Sequence, residues 1–181
     1  GSRFTDKAGW ATMPFTEETK ERDPRLAQTV LTQNTQYVDG TEGTFNFANT
    51  VTGYPMLKYI SGPNYVNAST IDMPIYRMAE VYLNYAEAKY ELNGSISDDD
   101  LEKTINVIRH RAGFEVKLTN AFVTANGLDM RGEIRRERSV ELAGEGFRYD
   151  DLIRWKTAET VLPKAIMGAR FTLSKATYLD A

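Results

Sequence analysis

The stretch Pro74-Ile75-Tyr76-Arg77-Met78-Ala79-Glu80-Val81-Tyr82-Leu83-Asn84-Tyr85-Ala86-Glu87-Ala88 decides the fold class. Ile75, Met78, Ala79, Tyr82, Leu83, Ala86 and, just beyond, Tyr90 recur at the three- and four-residue intervals of one helix face. A second stripe, Val81, Tyr85, Ala88 and Leu92, runs along another side. Asp72 supplies a cap, Pro74 suits a first helical turn and Gly94 offers a stop. A helix apolar on two sides is expected to be sandwiched between neighbours.

Beyond it, Ser97 to Asp100 makes a capping-box-like start, with Asp98, Asp99 and Asp100 where the helix dipole favours negative charge. Leu101, Ile105, Ile108 and Ala112 form the next stripe, Arg109, His110 and Arg111 fill the last turn, and Gly113 ends it. The two helices make an antiparallel hairpin of roughly 40 residues, the size of one tetratricopeptide-like unit. One such unit cannot bury both its faces, so a further layer is expected. A looser segment, Phe114 to Asn126, leads to a third helix from Leu128 to Ala143, ended by Gly144 and Gly146. Phe147 to Trp155 reads as another helical turn or two, and Phe171-Thr172-Leu173 as a short extended piece.

Residues 1–72 have a different texture, rich in Thr, Asn, Gly and Tyr, with one short helix at Pro24 to Leu31 capped by Asp23. Thr41-Glu42-Gly43, Thr52-Gly53-Tyr54-Pro55 and Ser61-Gly62-Pro63-Asn64 punctuate it as turns. The fold class is therefore all-α: a tetratricopeptide-like helical hairpin plus additional helices with long irregular loops. Residues 1–72 are expected to form a loop-rich, ligand-facing layer and 73–181 the helical region, both within one domain.

With 181 residues, 41% of them hydrophobic, the chain can bury one sizeable core. A formal charge of -3 gives no basic field for phosphates, so no nucleic-acid partner is expected. The absence of cysteine removes disulfides and thiolate metal sites. No apolar run approaches the ~20 residues of a membrane span, and Gly1-Ser2-Arg3 lacks the features of a signal peptide. His110, the single histidine, sits beside two arginines and reads as a last-turn surface residue; no metal and no cofactor are expected. Phosphate-cradling and nucleophile-elbow motifs are missing, and Asp98 to Asp100 lacks the alternating spacing of a calcium loop.

The charges between Glu137 and Arg154 invite a glycosidase reading, because paired carboxylates run glycoside hydrolysis. Their spacing favours another. Glu137, Glu141 and Glu145 stack at i, i+4 and i+8, while Arg138, Arg148 and Arg154 each lie three residues from an acid, Glu141, Glu145 or Asp151. This ladder reads as a structural ion network, joined by Arg77, Arg109 and Arg111 from the hairpin, with no catalytic residue.

The aromatics of the loop-rich half are Trp10, Tyr37, Phe45, Phe47, Tyr54, Tyr59 and Tyr65. Sugar rings present apolar CH faces that stack on such rings, while Asn34, Asn46, Asn64 and Arg25 can bond hydroxyls. Trp10, Tyr37, Asn46, Phe47, Tyr54 and Tyr65 are the candidate ligand-binding set. The alternative is that these rings staple long loops onto the helices; Tyr82, Tyr85, Tyr90 and Trp155 are assigned to the core.

The motifs resemble those of the SusD/RagB family. Pro74 to Ala88 is similar to its P-x-x-R-x-A-E-x-Y-L-x-Y-A-E-A helix. Ile105-Asn106, Ile108-Arg109 and Arg111-Ala112-Gly113 are similar to I-N-x-V-R-x-R-A-G. Glu137-Arg138, Glu141-Leu142, Glu145-Gly146, Arg148 and Asp151-Leu152-Ile153-Arg154-Trp155 follow its E-R-x-x-E-L-x-x-E-G-x-R-x-x-D-L-I-R-W. Upstream, Asp23-Pro24-Arg25-Leu26 and Lys58-Tyr59 resemble its D-P-R-L and K-Y elements. The resemblance implies the C-terminal portion of a longer surface lipoprotein of the outer membrane. It implies a protein that binds oligosaccharide without cleaving it and sits on a TonB-dependent SusC-like transporter, its lipid anchor lying outside this chain. The alternative function is a helical-repeat domain that binds protein and no glycan.

Overall fold

The computed structural model describes residues 4–32, 40, 43, 50–60 and 71–170. Contacts divide the chain into two compact units, Gly1–Met73 with Lys156–Ala181, and Pro74–Trp155. The tail from Lys156 thus falls with the loop-rich half. Phe171-Thr172-Leu173 lies outside the described residues.

In the first unit, 3₁₀ turns at Phe4–Asp6 and Trp10–Thr12 precede two short helices, α1 (Phe15–Glu18) and α2 (Pro24–Thr29). The Asp23 side chain accepts the Arg25 N–H at 2.9 Å, which caps α2. Asp23 also takes Nε and Nη2 of the buried Arg25 at 2.9 and 2.7 Å, so the charge enters the interior already paired. The helix stops at Thr29, short of Leu31, because Val30 turns extended and bridges antiparallel to Met56. The Leu31 N–H then donates to Pro55 O and the Leu57 N–H to Thr29 O. At the other end of the unit, the Ala169 N–H donates to Thr52 O at 2.7 Å. A Cβ on Gly168 would stand 2.9 Å from that same carbonyl oxygen, so only glycine permits the approach.

The second unit contains α3 (Met78–Asn93), α4 (Asp98–Lys103), α5 (Ile105–Arg111), α6 (Asn120–Ala125), α7 (Met130–Glu141) and α8 (Phe147–Arg154). Here α3 starts four residues later than Pro74 predicts. Arg77 is extended (φ -136°, ψ 152°) and stands as the residue before the first turn, while Asp72 and Pro74 lie outside the helix. Gly94 ends α3 in the left-handed conformation at φ 68° and returns its N–H to Tyr90 O. Ser97 caps α4 by accepting the Asp100 N–H.

The predicted second helix is in fact two, α4 and α5, parted at Thr104 (φ -126°, ψ -89°). The buried Thr104 hydroxyl bonds back to Asp100 O at 2.6 Å, a local alternative that competes with the helical ladder. The segment read as loose contains α6, whose cap is the Thr119 side chain accepting the Phe122 N–H. The third predicted helix is α7, capped by Asp129.

Helix α3 is the spine, packed on α4, α5 and α7. Its inner stripe, Ala79, Leu83 and Ala86, meets Ile96, Leu101, Ile105, Ile108, Leu118, Val123, Met130, Ile134 and Leu142 in one core, with Tyr82 and Tyr90 packed partly buried against it. Leu83 is 0% exposed, a burial that contributes about 2 kcal/mol by its apolar area. The second stripe is not sandwiched as its pattern predicts. Val81 is 50% and Leu92 83% exposed, and Ala88 and Tyr85 also face outward, because the helices of the unit gather on the Leu83 side. Tyr85 therefore leaves the core and donates its hydroxyl to Asp100 at 3.0 Å. Among the described residues no helix is long and apolar enough to cross a membrane.

Candidate functional site

Four charged residues of α7 and α8 lie in the interior of the second unit, while Arg131, Arg148, Asp150 and Arg154 stay at its surface. Glu137, Arg138, Glu141 and Asp151 are buried, Glu137 at 0% exposure. Such burial is tolerated only where each charge meets a partner. Arg77 is the widest clamp: Nη1 reaches Glu141 Oε1 at 2.6 Å, Nη2 the Glu141 carbonyl at 2.8 Å, and Nε and Nη2 hold the two carboxylate oxygens of Glu145 at 2.7 and 2.6 Å. Burial alone would depress this guanidinium, but the hydrogen bonds to Glu145 and Glu141 outweigh it and raise its pKa. Arg111 adds a second guanidinium to Glu141 Oε1 at 2.6 Å. Arg109 Nε lies 3.2 Å from Glu137 Oε2, close enough for an ion pair but poorly aligned for a hydrogen bond.

The ladder's partners differ from those its spacing predicts. Arg138 turns from Glu141 to Asp151, with Nε 2.8 Å from Oδ2, and its Nη1 donates to Asn84 Oδ1 at 2.7 Å. Arg148 is exposed, donates to Ser139 Oγ at 2.6 Å and lies over the Trp155 ring instead of pairing with Glu145. Arg154 does reach Asp151 along its own helix, at 2.8 Å, and also crosses to Glu87. Glu87 accepts Arg154 Nη2 at 2.7 Å and the Trp155 indole N–H as well. Burial would raise the Glu87 carboxyl, yet the Arg154 and Trp155 hydrogen bonds hold it below its ordinary range. Asn84, Glu87 and Ser139 are members that the charge spacing does not reveal. A signal exists for the first two: both lie in the quoted α3 motif but off its inner apolar stripe.

Chemically, this arrangement engages the acids Glu87, Glu137, Glu141, Glu145 and Asp151 with guanidinium. A general acid or base must instead keep a carboxyl free to trade a proton with substrate. The geometry suits clamping α3, α5, α7 and α8 together.

The first unit carries the described aromatics of the ligand-binding set. Trp10 is 40% exposed and meets Phe4 edge-on at 6.2 Å, with Arg22 over the Phe4 ring at 5.2 Å. Tyr54 is half-buried, packs against Phe15 at 5.7 Å and donates its hydroxyl to Glu18 at 2.5 Å. Burial and then that bond to Glu18 push its pKa above the usual tyrosine value. So Trp10 presents a ring to solvent while Tyr54 is spent on joining Thr52–Pro55 to α1. Tyr37, Asn46, Phe47 and Tyr65, with Asn34, Phe45 and Asn64, lie outside the described residues.

These features define a chain of two textures, an aromatic-bearing loop unit and a helical hairpin unit pinned by arginine. The SusD family model matches residues 1–176, and the chain belongs to the SusD family. It is similar to the SusD-like protein P25 of Formosa agariphila, 42% identical over 84 residues, covering 45% of this chain and 15% of the relative. The crystal structure of a SusD-like carbohydrate binding protein from Bacteroides fragilis NCTC 9343 superposes with a TM-score of 0.65 at 31% identity, over 90% of this chain and 35% of that one. The chain therefore spans about a third of the solved structure's length and less of the curated relative's.

Proposed function

We propose that this chain is part of a cell-surface protein that captures oligosaccharide without cleaving it and delivers it to a TonB-dependent SusC-like transporter. The observation that carries this reading is membership of the SusD family together with the likeness to a carbohydrate binding protein. Trp10 supports it, since a part-exposed indole is the kind of face on which a sugar ring stacks. The ion pairing of Glu137, Glu141, Glu145 and Asp151 supports capture over hydrolysis. Reversible affinity from stacking and hydrogen bonds suits a protein that must release what it binds. A lipid anchor outside this chain would hold it at the outer membrane.

The test is calorimetric titration of the chain with a panel of oligosaccharides, followed by chromatography of each mixture. Saturable binding with no shortened product supports the reading. Product release from any glycan, or no binding across the panel, overturns it.

One observation favours a second reading, a helical-repeat surface that binds protein and no sugar. The outward stripe Val81, Tyr85, Ala88 and Leu92 is the kind of face on which a partner helix packs. Retention of a transporter partner in the absence of any glycan binding would select it.

A further inference from the structure

The loop between α5 and α6 borders a half-open hollow of about 490 Å³ in the second unit, inside the size range that holds small ligands. Its lining includes Val107, Arg109, His110, Phe114, Glu115 and Lys117. The loop is held in place from below. The buried Asn106 donates Nδ2 to Leu118 O at 3.0 Å and accepts the Leu118 N–H on Oδ1 at 2.8 Å. The cavity wall is thus pinned to α5 by a pair of hydrogen bonds, which keeps the cost of ordering it on binding low.

Charge selects the ligand class. The buried Arg109 is matched by Glu137 at 3.2 Å and Lys117 by Glu102 at 2.7 Å, so both cations of the lining are already neutralised. Two exposed polar groups remain in the lining, His110 and Glu115, and among the described residues neither side chain makes a hydrogen bond or ion pair. Glu115 disfavours an anionic ligand, while a carboxylate and an imidazole in the same lining offer an acceptor and a donor to neutral hydroxyls. Phe114, Val107 and Val116 supply apolar lining, with the Arg109 guanidinium 5.7 Å from the Phe114 ring centre. An aromatic side chain flanked by hydroxyl-bonding groups, in a hollow without an unpaired cation, fits a neutral sugar ring.

We infer that the cavity beside Phe114 is a second sugar subsite, in the helical unit, taking one or two neutral hexose or pentose residues. It rests on the glycan-binding reading but occupies a different place from Trp10. His110 is the single histidine of the sequence, so its imidazole resonances report on this cavity, while the indole N–H of Trp10 reports on the loop-rich unit.

The experiment is an NMR titration of the whole chain with maltotriose, cellotriose and xylotriose, and with trigalacturonate as the acidic arm. A saturable shift of the His110 signals with at least one neutral trisaccharide, and none with trigalacturonate, is the expected result. Phe114→Ala should weaken that response about tenfold, the factor that ~1.4 kcal/mol of lost contact produces, while leaving any Trp10 response in place. Because Phe114→Ala also touches packing, Glu115→Ala at an exposed position serves as the second variant and should weaken the same response. A Trp10 shift with a silent His110 overturns the subsite and leaves the proposed function standing. Silence at both overturns both, and a His110 response to trigalacturonate alone overturns the neutral class.

Discussion

Arg77 and Glu141 stand 64 residues apart in the chain and are joined twice, Nη1 to the carboxylate at 2.6 Å and Nη2 to the main-chain carbonyl at 2.8 Å. The contact ties the entry of α3 to the last residue of α7. Removing one member of a buried pair leaves the other uncompensated, a loss of ~3 to 5 kcal/mol. Arg77→Ala should fall near the lower figure, since Arg111 stays on Glu141. Urea unfolding measures it, and a loss below ~1 kcal/mol would show the clamp to be dispensable.

Glu145 and Arg148 should separate sharply. The Glu145 side chain is largely buried and holds Arg77 through both oxygens, so Glu145→Ala should destabilise by a few kcal/mol, roughly as other broken buried pairs do. Arg148 is exposed and, among the described residues, bonds Ser139 and lies over the Trp155 ring, so Arg148→Ala should stay within about 1 kcal/mol. Equal losses in thermal melts would contradict this ordering.

Leucines on the two sides of α3 should also diverge. Leu83→Ala opens a cavity in the core and should cost ~3 kcal/mol, whereas Leu92→Ala should stay within about 0.5 kcal/mol. Chemical denaturation of both variants checks the one-sidedness of the helix.

Acid should act through Glu87. Its carboxyl titrates lower when folded than its ordinary value of 4.5, so its contribution is present above 4.5 and is lost as pH falls through the lower folded value. Stability measured from pH 6 downward should therefore decline from about 4.5, and Glu87→Gln should shrink that decline. A slope unchanged in the variant would remove Glu87 from the account.

Much of this fold is legible because helix faces and caps are local. Leu83, Ala86, Leu101 and Ile108 announce their stripes, and Ser97 and Asp23 their caps, by spacing alone. What spacing conveys poorly is the tertiary partner. It suggests Arg138 with Glu141 on one helix, but the buried guanidinium finds Asp151 on α8, with Nε 2.8 Å from Oδ2. The start of α3 misleads for the same reason: Pro74 is a fair local signal, but Arg77 stays extended with its guanidinium on Glu141 and Glu145. Thr104 gives little warning of a break, since a threonine hydroxyl that bonds back to the carbonyl four residues earlier also occurs within continuous helices. Of the site residues, Trp10 is where a ring meets solvent, while Tyr54 shows that an aromatic among turn residues can serve as a staple.

The cations of the network, Arg77, Arg109, Arg111, Arg138 and Arg154, are guanidinium rather than ammonium. Alkali that would discharge a lysine near pH ~10.4 leaves arginine intact. The helical unit should thus hold its internal wiring through base treatment that strips its surface of lysine charge, and the first part to loosen in alkali should be elsewhere.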